Sequence, residues 1–452
     1  MSILFSGILG LFILSSIIFR EKNRNAIDFF FMASLVYLLI FSLVPIIFHV
    51  TRIIAGENPD ENYLPFYSHS DHIYYTYSSI VALLGYIIMF FGYQLSSKFI
   101  HAKQQEYFNN DLSAGDKKLR NTLIFTIVFA AIGLLSFVVY LNSAGSWLET
   151  IKYSAYYRSN PIITKYSYMK NVAPFVVISS YFAFALTTYT KSPGAKFLSY
   201  LLFSASFSSS AIVLFHQAGR LNLFLYIMTF PAAYCLINKK GMKYLIAFGA
   251  VLFSFIIVLG KELFNIFIVN NSVFKKSDVV ISDNNFFITE IINEFSFPML
   301  NISNAVDVVP KIVPFRYFSD ILTAVGSTIP NSWLPTLEMQ QSISSVNTSF
   351  FATSGAVPVD LITFGYYSMG VPGVLIVMFC FGIILRFFDW CFPVCDDPLW
   401  AIFRVAWIFF LPIRIVYGDP SILLKVGFTL MIGTLTLFVF FPKSVVARVM
   451  ED

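Results

Sequence analysis

The chain has 452 residues, of which 57% are hydrophobic and only 12% charged, with a formal net charge of +5. Soluble domains carry roughly twice that share of charge, which excludes a soluble fold and leaves room for about ten to twelve membrane spans of roughly 20 residues each. The basic residues sit mostly in short loops beside apolar runs, so they report orientation and give no nucleic-acid-binding surface.

The first apolar run, 2–19, is followed by Arg20, Lys22 and Arg24 and has no basic residue before it. This is the reverse of a cleavable signal peptide, and it places the amino terminus outside. A second span, 28–49, leads to an outer loop from Thr51 to Asp71. A third, 73–96, returns to a loop holding Lys98, Lys103, Lys117, Lys118 and Arg120, which the positive-inside rule makes cytoplasmic. Span four covers 121–141. The outer loop after it, Asn142 to Asn171, breaks the charge rule with Lys152, Arg158, Lys165 and Lys170.

Spans five and six, 172–190 and 197–215, flank the basic turn from Lys191 to Lys196. Span six meets span seven outside through the tight connection HQAGR, from His216 to Arg220. Span seven ends inside at Asn238, Lys239 and Lys240, and span eight, 244–260, goes back out.

The segment from Lys261 to Pro358 is far longer than the other connections, and loops of that length usually carry function. Apolar positions in Phe286 to Val309 and Phe315 to Ile329 fit short helices lying on the membrane surface, forming an ordered cap. Spans nine to eleven cover 359–386, 399–414 and 421–440, leaving the carboxy terminus inside. The expected architecture is therefore an all-α helical bundle of about eleven transmembrane helices. It divides into an amino-terminal bundle at 1–260, a large outer loop at 261–358 and a carboxy-terminal bundle at 359–452. The four cysteines, Cys235, Cys380, Cys391 and Cys395, lie in or at the ends of spans. No disulfide framework follows, and Cys391 and Cys395 lack the further ligands of a zinc site.

An Arg near hydrocarbon costs several kcal/mol unless it snorkels or meets an anion, which singles out Arg220, Arg404 and Arg414. Arg220 and Arg414 both map to the outer face. Arg220 opens span seven after Ala218 and Gly219, where it either anchors a helix at the interface or holds phosphate oxygens in its planar fork. Arg414, in RIVYGDP, has the same choice, its plain reading being a snorkelling side chain paired with Asp419. Arg404, near mid-span, is placed to neutralise a carboxylate within the bundle.

Two outward-facing Arg side chains at the lipid boundary suit a lipid-linked pyrophosphate, whose departure needs charge stabilisation that guanidinium groups supply without a metal. A base for a sugar hydroxyl is then required, and His216, Glu294 and Asp360 are the foremost outer-face candidates beside Glu290, Asp307 and Asp419. The HSDH stretch with His69, Asp71 and His72 reads as solvated loop, and Gly365, Gly370 and Gly373 as sites of close helix approach or a kink beside Pro372. Tyr153, Tyr156, Tyr157, Tyr166 and Tyr168 crowd one outer loop as interfacial anchors, although such rings also stack on sugars.

Several segments, in order, resemble the O-antigen polymerases of the Wzy type and their relatives that polymerise enterobacterial common antigen. They are HQAGRLNLF at 216–224, EFSFPMLNISNAVDVVP at 294–310, IPNSWLP at 329–335, TSGAVPVDLITFGYYSMGVPG at 353–373 running into RFFDW, and RIVYGDP at 414–420. They span the second half of the chain, while the first half matches only in hydropathy.

The resemblance implies a multi-pass enzyme of the bacterial inner membrane, related to the GT-C glycosyltransferases, with its active site facing the periplasm. The activity implied moves a growing glycan from undecaprenyl pyrophosphate to the next lipid-linked repeat unit, with no metal or other cofactor. A Wzz-type chain-length regulator and a Wzx-type flippase are the implied partners, beside membrane lipid. By position, Arg220 and Arg414 correspond to pyrophosphate-binding arginines, with Arg316 a further candidate. Some relatives have a His where this chain has Thr353, so that base is absent here. The competing expectations are a lipid-linked oligosaccharide flippase or transporter, and an O-antigen ligase; the former places charges at mid-membrane between repeats and keeps its loops short.

Overall fold

The computed structural model describes residues 1–21, 27–55, 72–99, 115–143, 166, 168–217, 220–241, 245, 249, 252, 295–328, 341–351 and 357–442. Every regular element among them is helical: α1 (Ser2–Glu21), α2 (Phe29–Tyr37), α3 (Val44–Ala55), α4 (His72–Phe99), α5 (Asp116–Ser143), α6 (Met169–Val172), α7 (Phe175–Tyr189) and α8 (Pro193–His216). There follow α9 (Arg220–Asn238), α10 (Phe297–Val308), α11 (Ser319–Gly326), α12 (Ile343–Thr348), α13 (Leu361–Met369), α14 (Val371–Cys391), α15 (Pro398–Phe410) and α16 (Pro420–Phe440).

Ten segments among the described residues are long and apolar enough to cross a membrane, which makes the chain a multi-pass helical membrane protein. They match the expected spans in order, except that 244–260 lies largely outside the described residues. Two spans differ in detail. The second is continuous from Phe29 to Val50, but between α2 and α3 the turns of Leu38–Leu43 widen, with Val44 N–H reaching back to Leu39 O. Pro45 follows at once; its ring cannot sit over a regular preceding turn, and the widened stretch relieves that clash.

The run at 359–386, expected as one span, is two helices, and this is a correction. Gly370 takes φ 66° between α13 and α14, Pro372 sits in the first turn of α14, and the crossing helix is Val371–Cys391. Both pieces are apolar, so hydropathy joins them; the left-handed glycine separates them.

The chain forms two compact units. The first comprises Met1–Gln104, Val273–Cys391 and Ile408–Lys425. Its core rests on backbone-to-backbone packing at glycine: a Cβ on Gly382 of α14 would lie 2.8 Å from Tyr93 N of α4, and one on Gly365 of α13 would lie 2.7 Å from Val374 Cα. Polar ties join the helix ends. Ser2 Oγ pairs with His49 Nε2 at 2.7 Å and with Ser79 Oγ at 3.2 Å. At the opposite ends of these helices, Asp389 accepts from Tyr93 OH at 2.7 Å and from Phe29 N–H at 3.3 Å.

The second unit comprises Gln105–Ser272, Phe392–Trp407 and Val426–Asp452. An aromatic seam runs through it, with Phe129 stacked on Phe175 at 5.5 Å and Phe182 edge-on to Phe403 at 5.7 Å. One end is an ionic node in which Lys118 pairs with Asp397, Tyr189 OH donates to Asp397 at 2.9 Å, and Lys239 pairs with Asp396 at 3.3 Å. In each unit the ends that meet are those the alternation of spans puts on one side of the membrane.

Of the two helices expected on the membrane surface, the first departs from that placement. α10 is buried on nearly all sides, with Asp307 alone exposed, its side chain at 51%. Its amphipathic spacing is masked because Asn301 and Ser303 also find partners or cover inside the unit. The second, α11, does carry an exposed apolar face.

Candidate functional site

The first unit gathers most of the described candidates around the break between α15 and α16. α15 ends where Pro412 removes a backbone donor, and the chain then makes one tight turn, Pro412–Ile415, before α16 starts at Pro420. Arg414 sits in that turn, 5% exposed. Its Nε donates to the Phe410 carbonyl at 3.3 Å, and the guanidinium lies 4.5 Å from the Phe410 ring centroid and 6.0 Å from that of Tyr417.

The expected pairing with Asp419 is not made. Asp419, 1% exposed, caps α16 by accepting from Ser421 N–H at 2.8 Å, and its other oxygen accepts from Ser344 N–H of α12 at 3.3 Å. Among the described residues, Arg414 therefore has aromatic faces and a carbonyl but no carboxylate. Ser344 Oγ, beside the Asp419 cap, is buried with no partner among the described residues.

The turn is clamped against the start of α13. Gly418 N–H donates to Val359 O at 2.7 Å, and a Cβ on Gly418 would come within 2.7 Å of the Asp360 carbonyl carbon. Asp360 is fully buried and caps α13, accepting from Ile362 N–H at 3.0 Å, Thr363 N–H at 2.9 Å, Thr363 Oγ1 at 2.5 Å and Asn301 Nδ2 at 3.4 Å. Burial raises its carboxyl from 3.8 to about 6, although these hydrogen bonds pull the other way. Asn301 also donates to Pro358 O at 2.8 Å and accepts from Asn347 Nδ2 at 2.8 Å. This amide chain joins α10, α12 and α13 behind the Arg414 turn.

Arg316 has a different setting. Its Nε and Nη2 clasp Asp320 at 2.6 and 2.7 Å, and Nη2 also donates to Gln341 O at 2.6 Å. The fork that would hold a phosphate is taken by a buried carboxylate, which makes this arginine a strut.

The remaining candidates lie in the second unit, outside the described residues, or in pairings of their own. Arg220 begins α9 in the second unit, where only its backbone is described, and Glu294, Glu290 and Thr353 lie outside the described residues, as do His69, Asp71, Tyr153, Tyr156 and Tyr157. His216, 2% exposed, ends α8 and sits edge-on to the rings of Phe137 and Tyr140, each at 5.5 Å. Asp307 pairs with Lys311 at 3.2 Å. Arg404 donates to the Phe392 carbonyl, and Arg386 of RFFDW lies over the Tyr93 ring at 5.6 Å. All four cysteines are free thiols, and no three His, Cys, Asp or Glu side chains among the described residues converge as a metal site.

Asn301, Asn347 and Asp320 were missed as site-building residues. Asp320 has a legible signal, since it stands four residues after Arg316 on a helical register. Asn301 is a lone amide in the apolar run MLNIS. Nothing in the sequence marks Asn347 as its partner. No family model, curated protein or solved structure matches the chain.

Proposed function

We propose that this protein is a polymerase of lipid-linked oligosaccharides, of the O-antigen polymerase kind, working at the periplasmic face of a bacterial inner membrane. The observation that carries the reading is Arg414: a guanidinium 5% exposed, in a break between two spans, without a carboxylate among the described residues. A buried cation without a counter-charge is costly, and an arriving anion relieves that cost. A pyrophosphate at headgroup level, with its polyisoprenyl tail in the bilayer, is such an anion, and the planar fork holds its oxygens in a way Lys cannot.

In the reaction, an acceptor sugar hydroxyl attacks the anomeric carbon of the donor glycan. The bond from that carbon to the pyrophosphate oxygen breaks, the hydroxyl proton passes to a base, and undecaprenyl pyrophosphate leaves with the bonding pair. Arg414 stabilises the charge that develops on the leaving oxygen. Asp360 serves as a cap that holds the Arg414 turn.

A transporter of lipid-linked oligosaccharides is the second reading, and the broken helices at Gly370 and at 411–419 favour it, since transporters build sites from interrupted helices. The glycan banding pattern of a deletion strain complemented with variants separates the two. Arg414→Ala is expected to leave single repeat units on the cell-surface lipid with no longer chains, and Arg414→Lys to rescue little. Accumulation of lipid-linked units in the cytoplasmic leaflet of the deletion strain would establish the transporter. Polymer stranded on undecaprenyl pyrophosphate, with none passed to lipid A core, would establish a ligase.

A further inference from the structure

The stretch from Pro310 to Gly326 carries an apolar surface that stays exposed among the described residues. Ile312 is 68% exposed, Tyr317 69%, Ile321 46%, Leu322 76% and Val325 52%. The opposite face of α11 is sealed, with Asp320 at 1% and Ala324 at 0% exposure. The exposed residues of α11 are thus all aliphatic, while its one charge points inward and is clasped by Arg316 at 2.6 Å. In water this is the wrong way round for a surface helix.

Two independent ties fix the depth of this face. Arg316 N–H and Tyr317 N–H donate to the carbonyls of Tyr367 and Ser368, both at 3.0 Å, and the span Val371–Cys391 starts three residues later. Lys311 Nζ lies 6.0 Å from the ring centroid of Tyr74, the first residue of the span Tyr74–Ser97. The apolar face therefore stands level with the ends of two spans, where the hydrocarbon gives way to headgroups. At eight residues α11 is too short to cross, so an in-plane position is left.

We infer that α11 and the turn before it form an interfacial anchor, with Ile321, Leu322 and Val325 seated among lipid acyl chains and Lys311 at the level of the phosphates. The occupant is lipid: the face is continuous with the apolar ends of the spans and is edged by a cation and a tyrosine, the residue types enriched at that depth. The backbone pairing of 316–317 with 367–368 makes the anchor a handle on α13, the helix capped by Asp360. The inference does not depend on the enzymatic reading.

The test places a nitroxide at Leu322→Cys and at Lys311→Cys in the full chain with its four native cysteines replaced by Ser. The protein is reconstituted in phosphatidylethanolamine and phosphatidylglycerol vesicles, with Leu135→Cys, 66% exposed on the span Asp116–Ser143, as the lipid reference. At Leu322, collisions with oxygen are expected to exceed those with a water-soluble nickel chelate several-fold, approaching Leu135, and at Lys311 the ratio falls toward one. A Leu322 label reached chiefly by nickel, or by neither quencher, would overturn the anchor, the latter outcome pointing to a second protein surface. If the cysteine-free chain does not fold, Leu322→Trp in the otherwise native chain serves instead. Acyl chains brominated near the headgroup should then quench more fluorescence than from the five native tryptophans alone. Equal quenching would count equally against the anchor.

Discussion

Arg316 and Arg414 are buried arginines of one unit whose removal should have different consequences. Arg316→Met strands the Asp320 carboxylate at 1% exposure, and breaking one side of such a pair typically costs about 3–5 kcal/mol. Arg414→Met strands no acid and leaves the protein about as stable as before. Melting of the detergent-solubilised variants should show a clear loss for Arg316→Met, most of it regained in Arg316→Met with Asp320→Leu, and little change for Arg414→Met. Similar losses for both arginines would mean that Arg414 has a hidden structural partner.

Asp360 gives a prediction in pH. Its carboxyl is raised from 3.8 to about 6, so the folded chain holds that proton more tightly than the unfolded chain does. The stabilisation from this group is complete below the unfolded value and fades as pH rises through about 6, by on the order of 3 kcal/mol at pH 7. The wild type should accordingly gain thermal stability between about pH 7.5 and pH 5, and Asp360→Asn should flatten that gain. An unchanged pH profile in the Asn variant would place the titrating group elsewhere. Of this site, Arg414 was legible because a charge in an apolar run stands out. The use of Asp419 as a double cap was not, because its partners at Ser344 and Ser421 are distant in sequence or hidden in backbone donors.

At the scale of elements, helix contacts depend on glycines whose replacement meets backbone, which has no rotamer to yield. A Cβ on Gly373 would come within 3.2 Å of Met369 Cβ and closer still to the Gly365 carbonyl. Gly373→Ala should lower stability by about 1–3 kcal/mol through forced separation of α13 from α14. Gly194 of α8 has nothing within 4 Å, and Gly194→Ala should be neutral or slightly stabilising, by up to about 1 kcal/mol. Parallel melting curves distinguish them, and equal effects would remove the packing argument. The close approach at Gly365 and Gly373 was one of two readings open in the sequence, the other being a kink beside Pro372. The full division of the ninth span goes beyond that kink and is hidden from hydropathy, since a chain that turns back at one positive-φ glycine keeps its hydropathy on both sides of the break.

Over the whole molecule, the number of crossings rests on a stretch that lies largely outside the described residues. Lys239, just past the end of α9, pairs with Asp396 at 3.3 Å, so α9 finishes on the side of the membrane where residues 392–397 lie. By length and composition the apolar run 244–260, which follows α9, is expected to cross once, so that Lys240 and Lys311 are expected on opposite sides. Reporter fusions decide this. A fluorescent protein fused after Lys240 should light up in the cytoplasm, and alkaline phosphatase fused after Lys311 should be active outside. Both junctions reporting the same side would remove span eight from the expected eleven.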